Sequence, residues 1–172
     1  AEPESVVFPH PPSDTDAPLR AGAAPTPTVD AEVAAAIEEV LTAYEGAVQA
    51  SVTAHREGDP DHPHLDRYLA GRARTLIRIA VREDVDDNLY HDGDLRIVEA
   101  TVTAIDLDSS PPSATIEACV DTSEYLLLDR STGEPPPGVE QEGGRRLERI
   151  AVHRFAHGRW MVSDYLPAGE PC

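Results

Sequence analysis

The stretch Asp94-Leu95-Arg96-Ile97-Val98-Glu99-Ala100-Thr101-Val102-Thr103-Ala104-Ile105-Asp106-Leu107 is rich in β-branched residues and alternates in places between apolar and polar side chains. That is strand sequence. Working forward, residues 113–128 and 145–157 read the same way, and Trp160 to Leu166 reads as a last strand after a tight His157-Gly158-Arg159 turn. Ser109-Ser110-Pro111-Pro112 and the stretch from Ser131 to Gly144 supply the other two turns. Working backward, the period changes. Asp30 reads as an N-cap, and Val33, Ile37, Val40, Leu41, Tyr44, Val48 and Val52 recur at three- and four-residue steps up to about His55. Gly58-Asp59-Pro60 ends that helix. A second one is predicted from about His64 to Asp86, with Leu65, Leu69, Leu76, Ile77 and Ala80 facing inward. The order predicts an α+β fold: two long N-terminal helices packed on one face of a curved four-stranded antiparallel meander.

Charge narrows the function classes. Fourteen basic residues against 32 acidic ones leave a net charge of -18 in 172 residues, which repels nucleic acid and anionic membrane surfaces. All fourteen basic residues are Arg. Such a Lys-free, Ala-, Arg- and Pro-rich composition fits a GC-rich bacterial genome. No apolar run reaches the length of a bilayer span. The first residues, Ala1-Glu2-Pro3, read as what a signal peptidase leaves behind, so the expected location is extracellular with the signal already removed.

Residues 1–29 hold seven of the sixteen prolines and no apolar periodicity, and read as an extended arm preceding a domain over residues 30–172. Within it, Val6, Val7, Phe8 and Pro9 are the patch expected to dock on a partner; a solvated linker is the alternative. The two cysteines, Cys119 and Cys172, form an even pair. A disulfide is the simplest reading, stapling the tail to the sheet with a loop worth about 4 kcal/mol; two unrelated thiols are the alternative.

The helical half, the strand Gly93-Asp94-Leu95-Arg96, the strand Ala118-Cys119-Val120-Asp121, the Gly-rich turn, the closing His157-Gly158-Arg159-Trp160-Met161-Val162 hairpin and the terminal Cys172 resemble the small secreted or lipid-anchored NTF2-like domains of actinobacteria. The resemblance covers residues 30–172. It implies a cone with a pocket between sheet and helices, and a third short helix that this reading does not place. Some NTF2-like cones, the ketosteroid isomerases and SnoaL-like enzymes, transfer protons in that pocket with an Asp or His. Here Tyr90, His91, Asp92, Asp121, His153 and Asp164 are the acid-base candidates. Beside the disulfide cysteine, Asp121 is expected instead to bond neighbouring backbone or an Arg. The layout is also similar to the small adaptor subunits of secreted streptomycete umbrella-toxin particles, which implies protein partners in an extracellular complex.

The loop Asp59-Pro60-Asp61-His62-Pro63-His64-Leu65-Asp66 gathers zinc- or copper-type ligands, but its two imidazoles lie two apart without a helical partner pair, so a solvated loop is expected. Asp84-Val85-Asp86-Asp87-Asn88 with Asp92-Gly93-Asp94 looks like a calcium loop but lacks the EF-hand Gly and Glu, having Leu89 and Leu95 there. Arg67, Arg74, Arg78 and Arg82 form a positive row that would receive an acidic partner or pair with local carboxylates. Nucleophile and phosphate-loop motifs are missing. The expected function is therefore a non-enzymatic secreted adaptor without metal or cofactor, with a SnoaL-type small-molecule enzyme or carrier as the alternative.

Overall fold

The computed structural model describes residues 29–172. Three helices, α1 (Val29–Glu57), α2 (Pro63–Tyr68) and α3 (Gly71–Asp86), precede four strands, β1 (Leu89–Asp106), β2 (Ser113–Asp129), β3 (Arg145–Arg154) and β4 (Trp160–Leu166). The strands form one antiparallel sheet in the order β1-β2-β3-β4, the meander that the turn signals predict. The expected docking patch Val6, Val7, Phe8 and Pro9 lies outside the described residues.

The first helix is long because it is built from Ala and straight-chain residues around one buried stripe, Val40, Ala43, Ala47, Val48 and Ala54. Asp30 lies in its first turn and Arg56 in its last, each sign complementing the helix dipole. Asp30 is thus inside the helix, which starts at Val29, two residues before the Ala31 start that an Asp30 N-cap predicts.

The second long helix is not continuous. It breaks at Leu69 and Ala70, where the backbone turns extended and the Ala70 N–H donates to the Val162 carbonyl at 2.8 Å. Leu69 also bridges Val162 in parallel, so the break covers the outer edge of β4. Leu69 is fully buried, and that apolar anchor outweighs the helical period running through it. The resulting six-residue α2 is the short helix the sequence reading does not place. Its ring Tyr68 lies against Gly46 of α1, where any Cβ would collide with it. Leu76, expected to face inward, is exposed instead; Ala73 and Val81 take the core positions of α3.

Over the first half of β2 burial alternates, with Ala114, Ile116, Ala118 and Val120 on the helix-facing side. They meet Ile150 and Val152 of β3, Val162 of β4 and the α1 stripe in one core. Truncating Ile116 or Ile150 to Ala would cost about 2–5 kcal/mol. Three register shifts bend β1, between Asp94 and Arg96, Ile97 and Glu99, and Val102 and Ala104, and curve the sheet around the helices. The strand also begins earlier than predicted. Leu89 to Asp94 pair with Glu124 to Asp129, so the calcium-like stretch is the end of α3, a turn at Asn88 with φ of 60°, and the start of a strand.

The Cys119–Cys172 disulfide forms, with Cα atoms 5.8 Å apart and the two cysteines 53 positions apart in sequence. The Leu147 N–H donates to the Glu170 carbonyl at 2.8 Å, so the tail is held to β3 as well.

Candidate functional site

The ends of α1 and α3 meet the start of β1 at one corner of the cone, and three polar side chains converge there. His55 Nδ1 lies 2.7 Å and His91 Nδ1 3.0 Å from the same oxygen, Oδ2 of Asp84. A carboxylate only accepts, so both imidazoles donate through Nδ1. Burial alone would raise the Asp84 carboxyl, but the hydrogen bonds from His55 and His91 outweigh it and hold the group well below the ordinary carboxylate range. The rings are fixed as well as the protons. His55 meets His91 edge-on at 5.0 Å, and His91 stacks on Tyr125 at 4.9 Å.

Beside this cluster Arg56 Nε donates to Asp92 Oδ1 at 2.6 Å. The Gly93 N–H also donates to Asp92, and with Arg56 it lowers the Asp92 carboxyl. Gly93 has φ of 98°, and a Cβ there would collide with the Glu124 carbonyl oxygen, so only glycine brings β1 this close to β2.

A cavity of about 270 Å³ opens between the helices and the sheet, with Ser51, His55, Tyr125, Arg146, Glu148 and Tyr165 among its walls. A second concavity of about 450 Å³ borders His91 and shares Leu95, Tyr125 and Arg146 with the first. The phenols in this region stay protonated. Burial, then the Glu148 charge, pushes Tyr165 up to about 12 against a hydrogen bond with Ser51. Tyr44, raised by burial first and then by Glu148, donates to Glu148 Oε2 at 3.3 Å.

The six acid-base candidates of the sequence do not gather here. Only His91 and Asp92 reach this corner. Tyr90 lies under the Arg130 guanidinium at 5.2 Å, and Asp164 pairs with Arg72 at 2.9 Å. His153 Nδ1 donates to Ser163 Oγ at 2.7 Å, while that hydroxyl donates to the Ala151 carbonyl. Asp121 accepts the Ser123 N–H and sits 3.4 Å from both Arg96 and Arg145, as its position beside the disulfide suggests. Bonds from Ser123 and the two arginines lower its carboxyl to about 2.

The histidine loop has a different job. His62 caps α2, its Nδ1 accepting the His64 N–H at 3.3 Å, and its Nε2 lies 3.6 Å from Glu57. Asp61 and Asp66 of the same loop engage the arginine row. Arg74 pairs with Asp66, Arg82 with Asp61, and Arg78 with both. Arg67 stands apart, 5.4 Å from the Tyr68 ring, on the rim of an open groove of about 580 Å³. Glu38 and Glu39 of α1 and Arg159 also line that groove. Trp160 forms part of it, and its buried indole N–H has no hydrogen-bond partner among the described residues.

His91 is among the acid-base candidates of the sequence and Asp84 opens its calcium-like stretch, whereas His55 and the Trp160 donor are in neither set. The signal was present: His55 follows Val48 and Val52 on the buried stripe of α1, and Asp84 follows Ile77 and Val81 on that of α3. An ionisable residue at an inward helical position needs a partner.

No family model and no curated protein matches the chain. Among solved structures it is similar to the intermembrane-space region of the chloroplast protein ARC6, with a TM-score of 0.54 and 16% identity over 84% of this chain and 100% of that one. A ketosteroid isomerase-like protein from Erwinia carotovora atroseptica superposes more loosely, with a TM-score of 0.40 and 15% identity over 74% of this chain and 93% of that one. The first of these likenesses is one of fold: a four-stranded antiparallel sheet with helices packed on it.

Proposed function

We propose that the chain is a non-enzymatic adaptor that works outside the cell and holds a segment of a protein partner in the groove beside Trp160. The observation that carries this reading is the groove itself: an open concavity of about 580 Å³ with Trp160 in its wall and Arg67 and Tyr68 beside it. Tyr, Trp and Arg are the residue types that anchor protein interfaces. The scatter of the six acid-base candidates supports a role other than proton transfer. The disulfide supports an oxidising compartment, and no helix among the described residues is long and apolar enough to cross a membrane.

Capture of secreted proteins from the source culture, using the whole chain and its Trp160→Phe and Arg67→Glu variants, tests this. A partner retained by the whole chain and lost by both variants fits the adaptor. Equal capture by all three removes the groove from the account, and no capture at all removes the adaptor.

A second reading, a small-molecule carrier or enzyme of the SnoaL type, is favoured by the 270 Å³ cavity with His55 and Glu148 in its wall. A ligand that raises the melting temperature of the wild-type chain but not of Tyr165→Trp, which fills the cavity, would move the assignment there.

A further inference from the structure

We infer that His55, Asp84 and His91 form a binding site for a divalent transition metal of the zinc class. One ligand atom from each of His55, Asp84 and His91 lies within 4.8 Å of the other two, and both Nδ1 atoms are in direct contact with Asp84 Oδ2. Ligands on a tetrahedral zinc ion, bound at about 2.0–2.1 Å, are about 3.3 Å apart. Moving the two imidazole–carboxylate distances from the present 2.7 and 3.0 Å to that spacing asks for shifts of a few tenths of an ångström.

The two imidazoles donate their Nδ1 hydrogens to one oxygen, an arrangement that a cation in the same place replaces. With metal bound, each ring offers the Nδ1 lone pair and carries its hydrogen on Nε2, so a neutral ring loses no proton overall. The three ligands come from three elements, α1, α3 and β1, so the site is assembled only in the folded chain. The stacking of His91 on Tyr125 and its edge contact with His55 hold both rings in place beforehand. Arg56, the residue after His55, is engaged by Asp92. His91 is a quarter exposed and borders the 450 Å³ concavity, which leaves water a route to the remaining coordination position. Two nitrogens and one oxygen suit zinc, cobalt or nickel; calcium and magnesium need oxygen ligands throughout. This inference is independent of the groove at Trp160.

The test is calorimetric titration of Zn²⁺ into the whole chain after chelation and dialysis, with the imidazole ¹⁵N resonances followed in parallel. One ion per chain is expected, with His55 and His91 shifting together. His91→Gln, whose partly exposed position protects the fold, is expected to weaken binding about a hundredfold, and Asp84→Asn similarly. His62→Asn with His64→Asn is expected to change nothing. Should Asp84→Asn fail to fold, the wild-type resonances and His91→Gln still decide. The inference is overturned if no saturable one-to-one binding occurs, if His91→Gln binds as wild type, or if the responding imidazoles are those of His62 and His64.

Discussion

Two pairs of histidines meet in nearly the same way in this molecule. His62 and His64 lie edge to face at 4.8 Å with their planes 77° apart; His55 and His91 do so at 5.0 Å and 79°. The first pair is two residues apart in sequence at the start of α2, where one ring caps that six-residue helix. The second is 36 residues apart, and a largely buried carboxylate that belongs to neither neighbourhood draws both rings onto one atom. Ring geometry therefore says little about chemistry. What separates the pairs is the third group, and the fold supplies it rather than local sequence.

Perturbations that strike the whole fold set the baseline for this contrast. Replacing Cys119 and Cys172 by Ala is expected to lower unfolding stability by about 4 kcal/mol, from the closed loop alone. Denaturant unfolding measures it, and the imidazole spectra of both pairs should survive under native conditions. If either pair is lost with the bridge, the tail is shaping the site and the contrast is wrong. Next in size, Asp84→Ala is expected to cost about 2 kcal/mol, because the buried His55 donor loses its acceptor. Gly93→Ala is expected to cost at least about 1 kcal/mol, since a positive φ and the Glu124 carbonyl both oppose a Cβ. Smaller still, His62→Ala should cost about 0.5–1 kcal/mol as a lost helix cap and leave the His55 and His91 resonances in place.

The smallest effect compares carboxylates instead of rings. Asp121 is also lowered, to about 2, but by Ser123 and permanently charged arginines. Its folded value lies below its unfolded one, so its contribution is present above roughly pH 4 and fades as pH falls towards the folded value. Asp121→Asn should flatten that part of the acid unfolding profile. An unchanged profile would mean that the contacts from Arg96 and Arg145 do not hold in solution.

Much of the fold is legible in the sequence because binary pattern and turn chemistry agree. The period of Val40, Tyr44 and Val48, the alternation from Ala114 to Val120 and the His157-Gly158-Arg159 turn each point to the element that forms. What was hidden depends on long-range contact. The break at Leu69 and Ala70 is set by β4, more than ninety residues away, against an uninterrupted helical period. The start of β1 was masked because Leu89 to Asp94 is acidic and Gly-containing, and it is a strand only through pairing with Glu124 to Asp129. The site followed the same rule. His91 and Asp84 could be named from the sequence, but their convergence with His55 on one oxygen exists only where two helix ends meet the start of β1.

The most direct test of that central contrast is the tautomeric state of the four rings, read from long-range ¹H–¹⁵N correlation spectra at roughly pH 8, above the ordinary imidazole range. With Asp84 ionised and accepting from both, His55 and His91 are predicted to carry hydrogen on Nδ1, and His62, whose Nδ1 accepts the His64 N–H, on Nε2. If His55 and His91 instead show bare Nδ1 and protonated Nε2 in the metal-free chain, Asp84 does not hold them and the convergent site does not exist.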